Sequence, residues 1–272
     1  MSRKLLLFVA ALTLGVGLWA EIPTRNVAIV EIYNGNQLLY RAFEPTSVKY
    51  LQEQVPIYEY VDLGLPSGTL WATTNIGADS VHQVGGYFMW GDITSDVESY
   101  DWEHYPYGES EWTLTKYCTQ NTRGKDGFVD SITVLLPEDD AATQNRGPEW
   151  RTPTIEEWKE LNNKDYIVQE AVTDYRGTGV GGVIVYKKTK EEGATYYPAM
   201  DVHIFLPGGG YYKGTQIEYN SSNYNVEYWS STLNAGVCSM ALDKKGDSGY
   251  GAGSRYFGKP VRPVYVGTNN KE

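Results

Sequence analysis

Hydrophobic and polar positions in residues 60–78, YVDLGLPSGTLWATTNIGA, form two short apolar runs on either side of a turn. The first run begins at Tyr60, and the second contains Leu70 and Trp71. The Pro-Ser-Gly sequence between them suits a turn, because proline presets one backbone dihedral and glycine permits the other. The pattern therefore predicts a strand–turn–strand unit in a domain rich in β structure.

A second pair of strands is predicted near the N-terminus. Apolar residues alternate in AIVEIY, Asn34-Gly35 follows, and QLLYRAF continues as the return strand. Asn-Gly between two such runs is a strong hairpin signal. We interpret residues 21–56 as an N-terminal β-hairpin segment, 57–267 as the main domain and 268–272 as a disordered tail. A hairpin alone is marginally stable in water, so we expect it to dock on another surface.

Two helices are predicted in the main domain. The first begins near Pro137, carries the acidic residues 138–140 at its positive end and stops by Gly147. The second is marked by Thr154 with Glu157 three residues later, which is the pattern of a capping box. Ile155, Trp158 and Leu161 follow at helical spacing, which predicts one buried face.

The remainder has the pattern of short strands and long loops. An apolar strand is predicted at 87–90, after a Gly-Gly pair, and residues 93–117 indicate an irregular loop held by aromatic side chains. Helix content is therefore low, and the fold class is α+β. Further strands are predicted at 180–186, 203–206, 227–231, 237–242 and 261–266.

The first twenty residues have the pattern of a secretory signal peptide. Arg3 and Lys4 form a basic start, an apolar run extends to Leu14, and small residues lead to Ala20, where cleavage is expected. The alternative is a membrane anchor, but the apolar run is shorter than the ~20 residues that a span needs. We expect a secreted, periplasmic or cell-surface protein with no membrane insertion after signal removal.

The net charge and the aromatic content of the chain indicate which partners to expect. The formal charge is −11 over 272 residues, and loss of Arg3 and Lys4 takes it to −13. Such a surface repels nucleic-acid phosphates and anionic lipids, so no nucleic-acid partner is expected. Aromatic residues make up 14% of the chain, with 23 Tyr and 8 Trp, which is typical of sheet surfaces and binding faces.

The two cysteines, Cys118 and Cys238, leave two alternatives open. In an oxidising compartment they form a disulfide that closes a long loop, or they are two separate buried thiols. Two cysteines with three scattered histidines do not make a zinc site. No metal and no cofactor are expected.

Six blocks in order carry a resemblance to a known family. They cover residues 60–264, and the chain resembles the Fibrobacter succinogenes major paralogous domain family, common in secreted proteins of Bacteroidetes-type bacteria. The blocks are YVDLGLPSGTLWATTNIGA, GGYFMWGD, EDDAATQNRGPEWRTPTIEEWKEL, IFLPGGGYYKG, EYWSST and KPVRPV.

The order of helix, Arg-x-Pro-Thr-x-x-Glu-Trp and strands is also similar to the C-type-lectin-like fold shared with formylglycine-generating enzymes. The resemblance implies two helices packed on twisted antiparallel sheets, with a binding face near the C-terminal strands. This chain departs from the family at Arg146, where Trp is usual, at Thr152, where Met is usual, and in a longer polar stretch at 165–203.

Each charged candidate site has two interpretations. The acidic trio Glu138-Asp139-Asp140 suits either calcium or the capping of a helix start, and its position favours capping. Arg151 and Arg262 suit either a carboxylate ligand or structural ties to backbone carbonyls and acids, and the structural role is the commoner one.

Aromatic residues near the C-terminus supply the predicted ligand site. Tyr224, Tyr250 and Tyr256 lie in loops rich in Ser, Asn and Gly, the composition of adaptable binding surfaces. Tyr211, Tyr228 and Trp229 lie in strand-like blocks and are expected to pack inward. The residues predicted to be structural are Trp71, Trp90, Trp150, Arg151, Thr154, Glu157, Trp158, Trp229 and Arg262.

The sequence lacks the common catalytic signatures: it has no Gly-x-Ser-x-Gly, no His-Glu-x-x-His and no phosphate loop. The leading hypothesis is a non-enzymatic recognition module that binds a glycan or protein ligand outside the cell. One alternative is a carbohydrate-active or oxidative enzyme on the same scaffold. Another is a structural component of a surface assembly, attached through the N-terminal hairpin.

Overall fold

The structure is a computed structural model, and it divides the chain into two compact units, Met1–Pro56 and Ile57–Glu272. It describes residues 29–34, 37–43, 59–95, 97–188, 202–219, 226–233, 240–242 and 253–267. Tyr224, Tyr250 and Cys238 lie outside these ranges, as do the predicted signal peptide and the predicted tail. No helix in the described ranges is both long and apolar enough to cross a membrane.

The first unit contains an antiparallel hairpin of β1 (Ile29–Asn34) and β2 (Gln37–Phe43). Ile29 lies opposite Phe43 and Asn34 opposite Gln37, with a bulge between Ile32 and Tyr33. The two predicted strands are therefore confirmed.

The second unit is a mixture of short antiparallel strands and two short α-helices in the described residues. The helices are α1 (Ala141–Arg146) and α2 (Ile155–Leu161). The strands are β3 (Tyr60–Asp62), β4 (Leu70–Ala72), β5 (Trp150–Arg151), β6 (Ile167–Val172), β7 (Gly182–Lys187), β8 (His203–Pro207), β9 (Tyr211–Lys213), β10 (Gln216–Glu218), β11 (Val226–Tyr228), β12 (Met240–Leu242) and β13 (Val264–Tyr265).

The described strands of this unit form four small antiparallel sheets. One has the order β3-β4-β13-β5, so the predicted strand–turn–strand unit at 60–78 pairs with the C-terminal strand. Another has the order β6-β7-β8, and β9–β10 and β11–β12 are separate pairs. The described residues therefore form antiparallel sheets with few, short helices, an arrangement that is α+β or mostly β.

Helix α2 begins as the sequence predicts. The Thr154 hydroxyl accepts from the backbone N–H of Glu157, and the Glu157 carboxylate accepts in return from the N–H of Thr154. This capping box satisfies two backbone donors that the first turn leaves unpaired. The helix buries Trp158 and Leu161, so the predicted face is confirmed.

The first predicted helix is broken in two. Residues Pro137–Asp139 form a 3-10 turn, and Asp140 then has an extended backbone and caps α1 by accepting from Ala142 N–H. Only Asp140 of the acidic trio is therefore a cap, and the expectation that all three serve the helix start is wrong for Asp139. Its carboxylate instead binds a neighbouring loop, as described below.

Residues 87–90 do not form the predicted strand, because only Phe88 pairs, in an isolated bridge with Lys259. Conversely, strand β6 and the β9–β10 hairpin are observed but are absent from the predicted elements. The polar residues in β6 (IVQEAV) interrupt the alternation of apolar and polar positions that marks a strand, and β10 is only three residues long.

The core is built around buried tryptophans. Trp71 and Trp158 pack with ring centroids 4.7 Å apart, beneath sheet residues such as Val185 and Leu206. A second cluster gathers Trp90 and Trp229 against α1. The β5 residue Trp150, also buried, stacks edge-on with Tyr265.

Candidate functional site

An open cleft of about 490 Å³ lies between three segments of the second unit. Two segments are the stretch after Gly85 and the loop that carries Glu98, and the third is the turn after β9. The lining residues are Gly85, Gly86, Tyr87, Ser95, Val97, Glu98, Tyr100, Tyr212, Gly214 and Thr215.

Backbone bridges hold these segments together. Tyr100 and Gly214 exchange two hydrogen bonds, with N···O distances of 3.0 and 2.8 Å. Tyr212 and Gly258 exchange another pair at 2.8 and 3.0 Å. The loop at 97–100 is therefore fixed to β9, and β9 to the chain that precedes β13.

Two glycines allow the close approach. A Cβ atom on Gly86 would lie 2.7 Å from the Cβ of Ser95, so a side chain there would push the loop away. Gly214 has φ +60°, a backbone conformation that favours glycine. The Gly-Gly pair before Tyr87 and the Gly-rich run before β9 are the sequence signals that point to this site.

Three tyrosine rings meet at the cleft. Tyr100 and Tyr212 stack with centroids 5.1 Å apart, and Tyr87 meets Tyr212 edge-on at 4.7 Å. The Tyr100 hydroxyl lies 2.9 Å from the carbonyl oxygen of Tyr87 and 2.6 Å from that of Ser95. Internal contacts therefore fix the orientation of the rings before any ligand arrives.

The tyrosines differ in what remains available to a ligand. The Tyr87 hydroxyl donates to Gly209 O at 2.7 Å, and burial raises its pKa far above the ordinary value. It stays protonated at neutral pH. The Tyr212 hydroxyl makes no hydrogen bond to a described residue, and its ring is half-buried.

The polar groups at the rim face solvent. Glu98 and Thr215 are exposed and Ser95 is half-buried. The Glu98 carboxylate forms no hydrogen bond or ion pair with a described residue. The cleft thus combines apolar ring surface with polar oxygen atoms, which suits a ligand that has both apolar faces and hydroxyl groups.

Of the predicted ligand residues, the structure describes Tyr256 alone. It is half-buried and packs edge-on against Trp102, with centroids 5.2 Å apart, and against Phe257 at 4.9 Å. The same aromatic cluster contains Tyr100 and Tyr212. Tyr256 therefore supports the rings of the cleft from the side, and a ligand contact at Tyr224, Tyr250 or Tyr256 stays a prediction.

The other aromatic candidates lie where the sequence suggests, with one exception. Tyr228 and Trp229 are fully buried. Tyr211 is only half-buried, with its ring 4.9 Å from that of Phe257.

The two arginines have structural partners. Arg262 is completely buried and donates to Asn75 Oδ1 and to the carbonyls of Ala72 and Phe205, all within 2.8 Å. Arg151 forms a two-point ion pair with Glu157 at 2.7 and 2.5 Å. Neither guanidinium lies in the cleft, and Arg262 has no surface open to a ligand.

Asp139 lies at the centre of a polar cluster under the 93–117 loop. Its carboxylate accepts hydrogen bonds from the hydroxyls of Tyr107 and Tyr117 and pairs with Lys116 at 2.5 Å. Burial alone raises the pKa of Asp139, but these donors outweigh it and hold the pKa below its usual value. The cluster fixes the loop to the 3-10 turn at Pro137–Asp139.

A second buried pair joins Lys259 and Glu227, with Nζ 2.7 Å from Oε2 and both side chains almost inaccessible. Burial lowers the pKa of Lys259. The ammonium group lies over the rings of Tyr211 and Trp229, 5.3 and 5.2 Å from their centroids. This pair joins β11 to the segment before β13 and does not open to the cleft.

A serine, an aspartate and a histidine lie close together, but they are not arranged as a catalytic triad. Asp101 accepts from Ser99 at 2.5 Å and lies 2.7 Å from His104 Nδ1. The imidazole does not contact the serine, as a base that activates a nucleophile must. Within the described residues, no three His, Cys, Asp or Glu side chains are grouped to hold a metal ion.

Cys118 is buried, and its Sγ lies 3.1 Å from Gln120 O. Cys238 lies outside the described residues, so the disulfide stays a prediction. Comparisons with protein-family models, with curated proteins and with solved structures found no match to this chain.

Proposed function

We propose that this chain is a secreted or cell-surface recognition module, without enzymatic activity, that binds a glycan in the tyrosine-lined cleft. Its fold is C-type-lectin-like and its family that of the Fibrobacter succinogenes major paralogous domain. The export signal and the six sequence blocks support this proposal. The arrangement of two short helices among small antiparallel sheets is consistent with it.

One observation carries the proposal: aromatic ring surface and polar oxygen atoms converge in a single cleft. Tyr87 and Tyr212 supply the apolar surface, and Glu98, Ser95 and Thr215 supply polar atoms. A sugar ring has apolar C–H faces and hydroxyl edges, so it matches both kinds of surface. The cleft volume of about 490 Å³ falls in the range of about 300–1,000 Å³ found for small-ligand sites.

Preorganisation also favours binding at this site. Tyr100 is held by two backbone carbonyls and by stacking on Tyr212, so little side-chain freedom remains to be lost on binding. Immobilising a flexible side chain costs about 0.5–1.5 kcal/mol in an interface, and this site avoids much of that cost.

A glycan array followed by calorimetry with the best ligand tests the proposal. Thr215→Trp places a large side chain at the exposed turn beside the cleft and should abolish binding with little change in melting temperature. Tyr212→Ala should also abolish binding. Tyr166→Ala is the matched control, because Tyr166 is an exposed ring that does not line the cleft.

The outcomes separate the proposal from its rivals. Binding that survives Thr215→Trp and Tyr212→Ala but fails in a variant elsewhere would contradict the assignment of the cleft. Release of reducing sugar from the bound glycan would favour the enzyme alternative. No binding to any glycan would contradict the proposal itself.

A further inference from the structure

The lining of the cleft carries charge of one sign. Glu98 is its charged member, and no Lys, Arg or His is among its described lining residues. The protein as a whole has a formal charge of −11. Electrostatics at this site therefore oppose an anionic ligand.

Two lysines in segments near the cleft are directed elsewhere. Lys213 follows Tyr212 in β9, and successive side chains of a strand point to opposite faces, so Lys213 does not line the cleft. Lys259 lies close to Tyr211, but it is buried and paired with Glu227. Neither ammonium group is placed to neutralise a carboxylate or sulfate in the cleft.

The Glu98 carboxylate also determines which hydrogen-bonding groups the ligand must have. When ionised, it is an acceptor only, with two oxygen atoms side by side. Two neighbouring hydroxyl groups on a sugar ring can donate one hydrogen bond to each oxygen. Hydrogen bonds to an ionised acceptor are roughly twice as strong as those between neutral groups.

Resting on the function proposed above, we propose that the cleft selects uncharged saccharides that present adjacent hydroxyl groups, and that Glu98 is the residue that sets this specificity. Glu98 accepts from the hydroxyl pair, while its charge repels uronic acids and sulfated sugars. The tyrosine rings provide affinity for any sugar face, and Glu98 provides discrimination between neutral and acidic sugars.

The experiment uses the mature protein and a panel of neutral oligosaccharides, each paired with a counterpart that carries a carboxylate or sulfate. Wild type should bind the neutral member of a pair at least about tenfold more tightly. Glu98→Gln should weaken binding of the neutral member roughly tenfold, because a hydrogen bond to a charged group contributes more than one to an amide. The same variant should reduce the preference against the acidic member.

Glu103→Gln is the matched control. It removes the same charge from an exposed residue that does not line the cleft, so it should alter neither affinity nor preference. Melting temperatures of both variants should equal that of wild type, because Glu98 forms no hydrogen bond or ion pair with a described residue.

Each failure has a distinct meaning. If acidic sugars bind as tightly as neutral ones, or if Glu98→Gln leaves the preference unchanged, the specificity assigned to Glu98 is overturned while glycan binding stands. If neither member of any pair binds, both this inference and the proposed function fail.

Discussion

At the level of single residues, four fully buried indole rings pack the core of the described chain, and three of them are satisfied by backbone oxygens. Trp90 donates to Ser230 O, Trp158 to Trp229 O and Trp229 to Phe88 O, at 2.8, 3.2 and 2.6 Å. Each ring thus supplies a large apolar area and a directed bond. Trp71 Nε1 has no hydrogen-bond partner among the described residues.

Trp158→Ala should destabilise the protein by about 3–5 kcal/mol, because the ring is fully buried between Trp71 and Tyr228 and its removal leaves a cavity. Urea unfolding measures the loss. Trp112→Ala is the control: Trp112 is 56% exposed, so its removal should cost about 0.5 kcal/mol or less. Equal losses in the two variants would contradict the assignment of the core.

The ionisation of Glu157 contributes to the pH dependence of the protein's stability. Burial alone raises its pKa, but hydrogen bonds from Arg151 and Thr154 outweigh burial and hold the pKa below its ordinary value of 4.5. A lowered pKa in the folded state means that its stabilisation is complete above the unfolded value and lost as pH falls through the folded value.

Glu157→Gln should therefore flatten the acid limb of the stability curve between about pH 5 and pH 3. Unfolding free energies at a series of pH values measure the slope. Glu156→Gln is a matched control on the same helix, because Glu156 is exposed and faces solvent. An unchanged slope in Glu157→Gln would mean that the ion pair with Arg151 contributes nothing.

At the level of the elements, the sequence predicts the turns and helix caps that depend on neighbouring residues. It does not predict features that depend on contacts between distant parts of the chain. The turn at 66–68 and the capping box of α2 depend on residues a few positions apart, and both are seen. The strand predicted at 87–90 is reduced to an isolated bridge between Phe88 and Lys259, a partner too distant in sequence for local patterns to reveal. The cleft joins the segments at 85–87 and 95–100 to one at 212–215 that is distant in sequence, so spacing alone could not reveal it.

Arg262 is the clearest case of coupling between elements. It follows no periodic pattern, yet it binds the carbonyls of Ala72 in β4 and Phe205 in β8 and the side chain of Asn75. Asn75 in turn donates to the hydroxyl of buried Tyr228. One guanidinium therefore joins two sheets.

Arg262→Met should cost about 3 kcal/mol or more, because it leaves buried carbonyl groups without their donor. Arg262→Lys should recover only part of that loss, since a point charge cannot replace a planar fork of donors. Thermal and urea unfolding measure both. Arg123→Met, at a partly exposed arginine paired with Glu111, is the control and should have little effect. A stable Arg262→Met protein would show that the sheets do not depend on this link.

At the level of the protein as a whole, an acidic scaffold presents a preorganised cleft. An aromatic cluster around Tyr100 and the backbone bonds of Tyr100 with Gly214 and of Tyr212 with Gly258 fix the segments around it. These contacts are made by side chains and backbone groups of the chain itself. The cleft is open to solvent.

A chelator should leave the melting temperature unchanged. An ion that bound only the folded state would raise it, so its removal would lower it. Differential scanning calorimetry with and without EDTA measures this. A downward shift that calcium restores would contradict the capping role of Asp140 and the loop-anchoring role of Asp139.

Hydrogen–deuterium exchange with the best array ligand shows directly whether a glycan binds between Tyr87, Glu98 and Tyr212. Ligand binding should slow exchange in segments 85–88, 97–101 and 211–215. Exchange at 108–126, around the exposed Trp112, should be unchanged. Protection confined to 108–126, or to residues 220–225 and 245–257, would contradict a binding site in the cleft.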